Sequence, residues 1–74
     1  MKTYTPQEIK KGNVIEIEIE DMAFGGKGLA KLTVGEGKIV IFVPNTIPGQ
    51  TVKTRIFKKR KKHLEGKLIE VVSP

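Results

Sequence analysis

Seven cations lie within ten residues: Lys53, Arg55, Lys58, Lys59, Arg60, Lys61 and Lys62, with no acid among them. Phe57 sits inside the same stretch. Lysine and arginine neutralise phosphates, and an aromatic ring among them can stack on an unpaired base, the combination that single-stranded nucleic-acid binders use. The chain has 14 basic and 8 acidic residues, a net charge of +6. Those seven cations hold half the basic residues, and the rest of the chain is slightly acidic. The positive charge is therefore one local feature, which points to a polyanionic partner.

Other constellations offer less chemistry. Glu16, Glu18 and Glu20 alternate along one stretch, with Asp21 beside them. Alternate strand residues lie roughly 6.5–7 Å apart, a spacing open to a general acid/base pair. No histidine or ligand cluster accompanies them, so they read as a solvated face able to pair with basic residues of a neighbouring strand. The glycine-rich stretch Gly25-Gly26-Lys27-Gly28 fails both the P-loop and the dinucleotide patterns. It reads as a tight connection, with Lys27 and exposed amides as the alternative, a phosphate contact; Lys31 is a further candidate. His63, the lone histidine, is either a turn residue or a stacking ring.

Composition closes off several classes. With no cysteine there is no disulfide, thiolate metal site or cysteine nucleophile, and one histidine leaves too few imidazoles for most metal sites. The longest apolar run, Ile39 to Val43, is far short of the roughly 20 residues a membrane helix needs. Met1 to Gln7 lacks the apolar core of a signal peptide. The expectation is one cytoplasmic domain with no metal and no membrane contact.

The positioning elements follow from a two-residue period. Ile15, Ile17 and Ile19 alternate with glutamates from Val14 to Glu20, which predicts a strand with one face in a core. Leu29–Val34, Lys38–Val43, Thr51–Lys58 and Leu64–Val72 are the further strands. Gly35-Glu36-Gly37 predicts a three-residue hairpin loop, Pro44 a strand end, and Gly66 a bulge or close approach. Ile47-Pro48-Gly49-Gln50 has the spacing of a type II turn. On Thr51–Lys58, Val52, Thr54 and Ile56 share one face and Lys53, Arg55 and Phe57 the other. Phe57 is then an outward stacking ring, or it covers the barrel's end or is turned inward by a bulge. Residues 1–11 read as a flexible or extended lead-in, although Thr5 and Pro6 could cap one turn. Residues 12–74 form the folded unit. Short strands with short loops predict an all-β fold, a small five-stranded antiparallel barrel of the OB or SH3-like type, in which closure removes exposed edges.

The order of features also carries a family likeness. Gly12 precedes the isoleucine–glutamate strand. Phe24-Gly25-Gly26-Lys27-Gly28-Leu29-Ala30, Ile41-Phe42-Val43-Pro44 and Ile47-Pro48-Gly49 follow, then the basic strand and a closing Ile69-Glu70-Val71-Val72-Ser73-Pro74. This resembles the TRAM domain, an OB-like β-barrel, and most of all the TRAM module at the N-terminus of bacterial 23S rRNA (uracil-5-)-methyltransferases. The resemblance makes Gly26, Gly28, Pro44, Pro48 and Gly49 fold-defining positions. It implies a module that binds rRNA or tRNA for a covalently linked S-adenosylmethionine-dependent methyltransferase domain. The chain itself then has no cofactor and no catalytic residue, and is a monomer. The RNA-binding set is Lys53, Arg55, Phe57, Lys58, Lys59, Arg60, Lys61 and Lys62, with Lys27 and Lys31. The competing expectations are an SH3-like barrel docking an acidic protein and a stand-alone RNA chaperone.

Overall fold

The computed structural model describes residues 3–23 and 25–74. The described residues form strands and turns only: β1 (Thr3–Tyr4), β2 (Val14–Glu18), β3 (Asp21–Ala23), β4 (Lys27–Val34), β5 (Gly37–Pro44), β6 (Thr51–Lys59) and β7 (His63–Ser73). The sheet runs β1-β4-β5-β7-β6-β2, with β3 also on β4. The fold is a small all-β, OB-like barrel.

Closure depends on one stretch of chain that changes partners. β2 pairs antiparallel with β6, and β3 pairs antiparallel with β4. Between them, Ile19 N–H donates to Gln50 O at 2.8 Å and Glu20 N–H to Leu29 O at 2.9 Å. The expected single strand Val14–Glu20 is thus bent, one half on each side of the seam. The bend lets consecutive N–H groups, those of Ile19 and Glu20, reach acceptors on opposite sides of the seam.

The strand count exceeds the expected five because of this bend and because β1 is added. Pairing also departs from a purely antiparallel pattern. β7 returns between β6 and β5 and runs parallel to β5, through Val40↔His63, Ile41↔Leu64 and Phe42↔Glu65. β1 runs parallel to β4. Side-chain alternation specifies which face a residue takes, but it says nothing about the direction of the neighbouring strand.

Alternation itself is accurate. Ile15 and Ile17 are buried between exposed Val14, Glu16 and Glu18. They join Ile19, Ala30, Leu32, Ile41, Val43, Val52, Ile56 and Leu64 in one core. Two threonines are buried with them. Thr46 Oγ1 donates to Val43 O at 2.8 Å and Thr54 Oγ1 to Lys67 O at 2.9 Å. Each hydroxyl occupies space that a glycine opposite leaves open: a Cβ on Gly28 would meet Thr46 Oγ1, and one on Gly66 would meet Thr54 Oγ1.

The segment before residue 12, expected as flexible or extended, is folded against the barrel where it is described. Tyr4 and Ile9 are core residues. Thr5 Oγ1 accepts from Glu8 N–H at 3.2 Å, and Glu8 Oε1 accepts from Thr5 N–H at 3.0 Å. This is the reciprocal arrangement of a capping box. Tyr4 O–H donates to Glu16 O at 2.7 Å. Burial, then Glu8 and Glu16, raise the phenol above its ordinary pKa, so it stays a donor. Among the described residues two apolar side chains anchor this segment, too few to make a periodic pattern. Each adds about 1.5–3 kcal/mol by burial, a large share for so small a domain.

The hairpin between β4 and β5 is tighter than expected. Val34 pairs with Gly37, leaving a two-residue loop with Gly35 at φ 58°. At the other end, Gln50 N–H donates to Ile47 O at 3.3 Å and Gly49 has φ 93°, as a type II turn requires. Nothing lies within 4 Å of a Cβ placed on Gly49. Gly49→Val therefore carries a conformational cost alone, about 1–2 kcal/mol. The expected result is a Tm lower by roughly 5–15 °C in a thermal melt. An unchanged Tm would show that position 49 accepts a β-branched residue.

Candidate nucleic-acid interface

β6 sorts its side chains as the alternation predicts. Val52, Thr54 and Ile56 are fully buried, whereas Lys53, Arg55, Phe57, Lys58 and Lys59 are exposed. The ladder with β7 pairs Ile56 with Gly66 and Lys58 with Glu65, so Phe57 sits unpaired in a bulge. The bulge does not turn it inward, since the ring is 43% exposed. Phe57, Lys67, Leu68, Pro44 and Asn45 line a groove of about 360 Å³. Asn45, at φ 66°, carries the chain away from β5 at the groove's edge.

Beyond β6 the exposed residues Arg60, Lys61 and Lys62 form the turn, closed by Arg60 N–H donating to His63 O at 2.8 Å. The cations are largely free of acidic partners. Lys53 Nζ lies 3.8 Å from Glu70 Oε2, with both side chains exposed. Such a pair contributes little and leaves the lysine available.

Lys27 and Lys31 belong to this same outer surface. Leu29 pairs with Phe42, Phe42 with Glu65, and Glu65 with Lys58, a single row across β4, β5, β7 and β6. Three strand spacings make it roughly 14 Å wide. Lys31, Val40 and His63 form the next row. The surface therefore has Lys27 and Lys31 on one side, Arg55, Phe57 and Lys58 on the other, and the basic turn at one end.

Phe42 was not legible as a surface residue. It lies within the unbroken apolar run Ile39–Val43, which hides parity. Ile41 and Val43, both at 0% exposure, point inward and leave Phe42 on the outside. Its ring meets His63 edge to face, centroids 5.5 Å apart. His63 Nε2 lies 3.9 Å from Glu65 Oε2. Ala23, Lys27, Phe42, His63 and Glu65 line a recess of about 450 Å³. The signal available in the sequence was the even numbering that Phe42 shares with Val40 and Pro44 on the outer face.

Apart from Glu65 and Glu70, the acidic residues lie elsewhere. Glu16 is opposite Lys53 on the β2–β6 ladder. Glu20 Oε2 accepts from Lys31 N–H at 2.8 Å, a structural contact across the seam. No group of three or more His, Cys, Asp or Glu side chains able to hold a metal ion occurs among the described residues. The glycine loop is described from Gly25, with Gly25 and Gly26 exposed at positive φ. Its first residue, Phe24, lies outside the described residues. Gly28, in contrast, is buried inside the barrel.

The fold and this surface define a small OB-like barrel with a cationic, aromatic outer face. Residues 8–69 match the TRAM domain, and the chain belongs to that family. The chain is also similar to proteins named as uncharacterized RNA methyltransferases. One from Gloeobacter violaceus is 36% identical over 67 residues, covering 90% of this chain and 14% of the relative. One from Clostridium tetani is 41% identical, covering 86% of this chain and 13% of the relative. One from Streptococcus agalactiae serotype V is 38% identical, covering 88% and 14%. The chain thus spans about one seventh of the length of these relatives.

Proposed function

We propose that this chain is the RNA-binding module of an RNA methyltransferase, one that modifies uracil at carbon 5 in rRNA or tRNA. It works in the cytoplasm as a monomeric unit joined covalently to the catalytic domain. It has no cofactor or catalytic group of its own and no membrane contact. Its part is to hold RNA on the outer face of β4, β5, β7 and β6, with Lys53, Arg55, Lys58, Lys59, Arg60, Lys61, Lys62, Lys27 and Lys31 on phosphates and Phe57 on a base. The observation that carries this reading is the outward face of these strands, on which Phe42 and Phe57 lie among cations, flanked by a glycine loop and a basic turn. In OB barrels the face of the second and third barrel strands, here β4 and β5 with the bent β2–β3 counted as the first, binds oligonucleotides together with these two loops. Family membership and the similarity to RNA methyltransferases support the same reading.

The test is a titration with single-stranded RNA beside one with polyglutamate. RNA binds more tightly, because stacking adds to charge. Phe57→Ala weakens RNA binding by about 1–3 kcal/mol. It leaves the Tm nearly unchanged, since a ring this exposed lacks the about 3–5 kcal/mol of a core phenylalanine. Equal binding of the two polyanions, insensitive to Phe57, would favour an acidic protein partner instead.

A further inference from the structure

The outer face carries one acid at its centre. Glu65 stands between Phe42 and Lys58 in the row across the barrel, with its side chain 25% exposed. A carboxylate there repels phosphates, so it works against the charge of the surface around it. It also lines the recess formed by Phe42, His63, Lys27 and Ala23, whose volume of about 450 Å³ is in the range of small-ligand pockets. The recess therefore presents a ring to stack on, an acceptor-only carboxylate and a donor-only ammonium.

We propose that this recess is a base-reading subsite selective for guanine, an inference that rests on the RNA-binding reading above. A base stacked on Phe42 turns its edges toward Glu65 and Lys27. Guanine has two adjacent donors, N1–H and N2–H, which match the two oxygens of a carboxylate. Its O6 and N7 are acceptors, the atoms that lysine contacts in specific recognition. Adenine and cytosine offer a single amino group to the carboxylate. Uracil offers one N–H between two carbonyl oxygens, which Glu65 repels. The expected order is guanine first, adenine and cytosine next, uracil last. The subsite thus holds a neighbour of a modified uridine and sets which sequence is presented.

The experiment measures the affinity of the 74-residue chain for a short oligouridylate and for the same oligomer with one central guanosine, at fixed ionic strength. The guanosine raises affinity by about 5- to 100-fold, the range of a good bidentate base contact. Glu65→Gln brings the two affinities together while binding to oligouridylate stays the same or rises, because a negative charge is lost. Equal affinities in the parent chain, or a preference that survives Glu65→Gln, would overturn the subsite and leave RNA binding standing. Binding to neither oligomer would overturn both. The parent chain's own base preference tests the subsite independently of how the variant folds.

Discussion

A chain with Lys58, Lys59, Lys61 and Lys62 replaced by glutamine loses most of its affinity for RNA and much of its sensitivity to salt. All four side chains are exposed and lie at or beside one turn, between β6 and β7. Single-stranded RNA releases about 0.7 counterions per phosphate neutralised, so four or five contacts at Lys58–Lys62 account for roughly −3 of the slope of log K against log salt. Removing four of those cations makes the slope shallower by roughly 3 and lowers affinity by roughly a hundredfold at moderate salt. Every RNA sequence weakens by a similar factor, because phosphate contacts do not read bases. The melt stays close to the parent's, as exposed substitutions away from packed features usually stay within about 0.5 kcal/mol. Affinity by fluorescence anisotropy over a salt series checks this. An unchanged slope would move the interface away from the turn.

Gly28→Ala is expected to unfold much of the protein. Gly28 is buried on β4, and the added Cβ would overlap Thr46 Oγ1 and stand 2.9 Å from Ile19 Cγ2. Overpacking costs about 1–3 kcal/mol. Pushing the threonine aside also breaks its hydrogen bond to Val43 O and strands a buried hydroxyl, about 1–3 kcal/mol more. A single core of this size supplies only about 3–5 kcal/mol in all. Thr46→Ala in the same chain removes the overlapping oxygen, so the double variant recovers part of the loss. A two-by-two comparison of melts measures that coupling. A Gly28→Ala chain as stable as the parent would mean that β4 and the 45–50 loop can separate without cost. Gly49→Val, strained but uncrowded, serves as the milder contrast.

Much of the barrel was legible from local pattern. The alternation of Val14 to Ile19 and of Thr51 to Phe57 assigned each side chain to a face, and the faces hold. Pro48-Gly49 specified its turn because few residue pairs satisfy those backbone angles. The basic excess was located by counting. Each of these depends on the geometry of a few consecutive residues, and that geometry is the same in any fold.

The neighbours of each strand were decided only by the tertiary structure. Alternation has no term for partner or direction, so the parallel β5–β7 pair and the bend at Ile19-Glu20 that closes the barrel could not be read from it. Tyr4 and Ile9 looked like parts of a lead-in because two isolated apolar residues make no period, yet a core with room for them buries both. Phe42 took its side from the inward packing of Ile41 and Val43. Glu65 met that ring only because β7 came to lie beside β5. Faces are set by the pleat of one strand, whereas the company each face keeps is set by how distant strands close around a shared core.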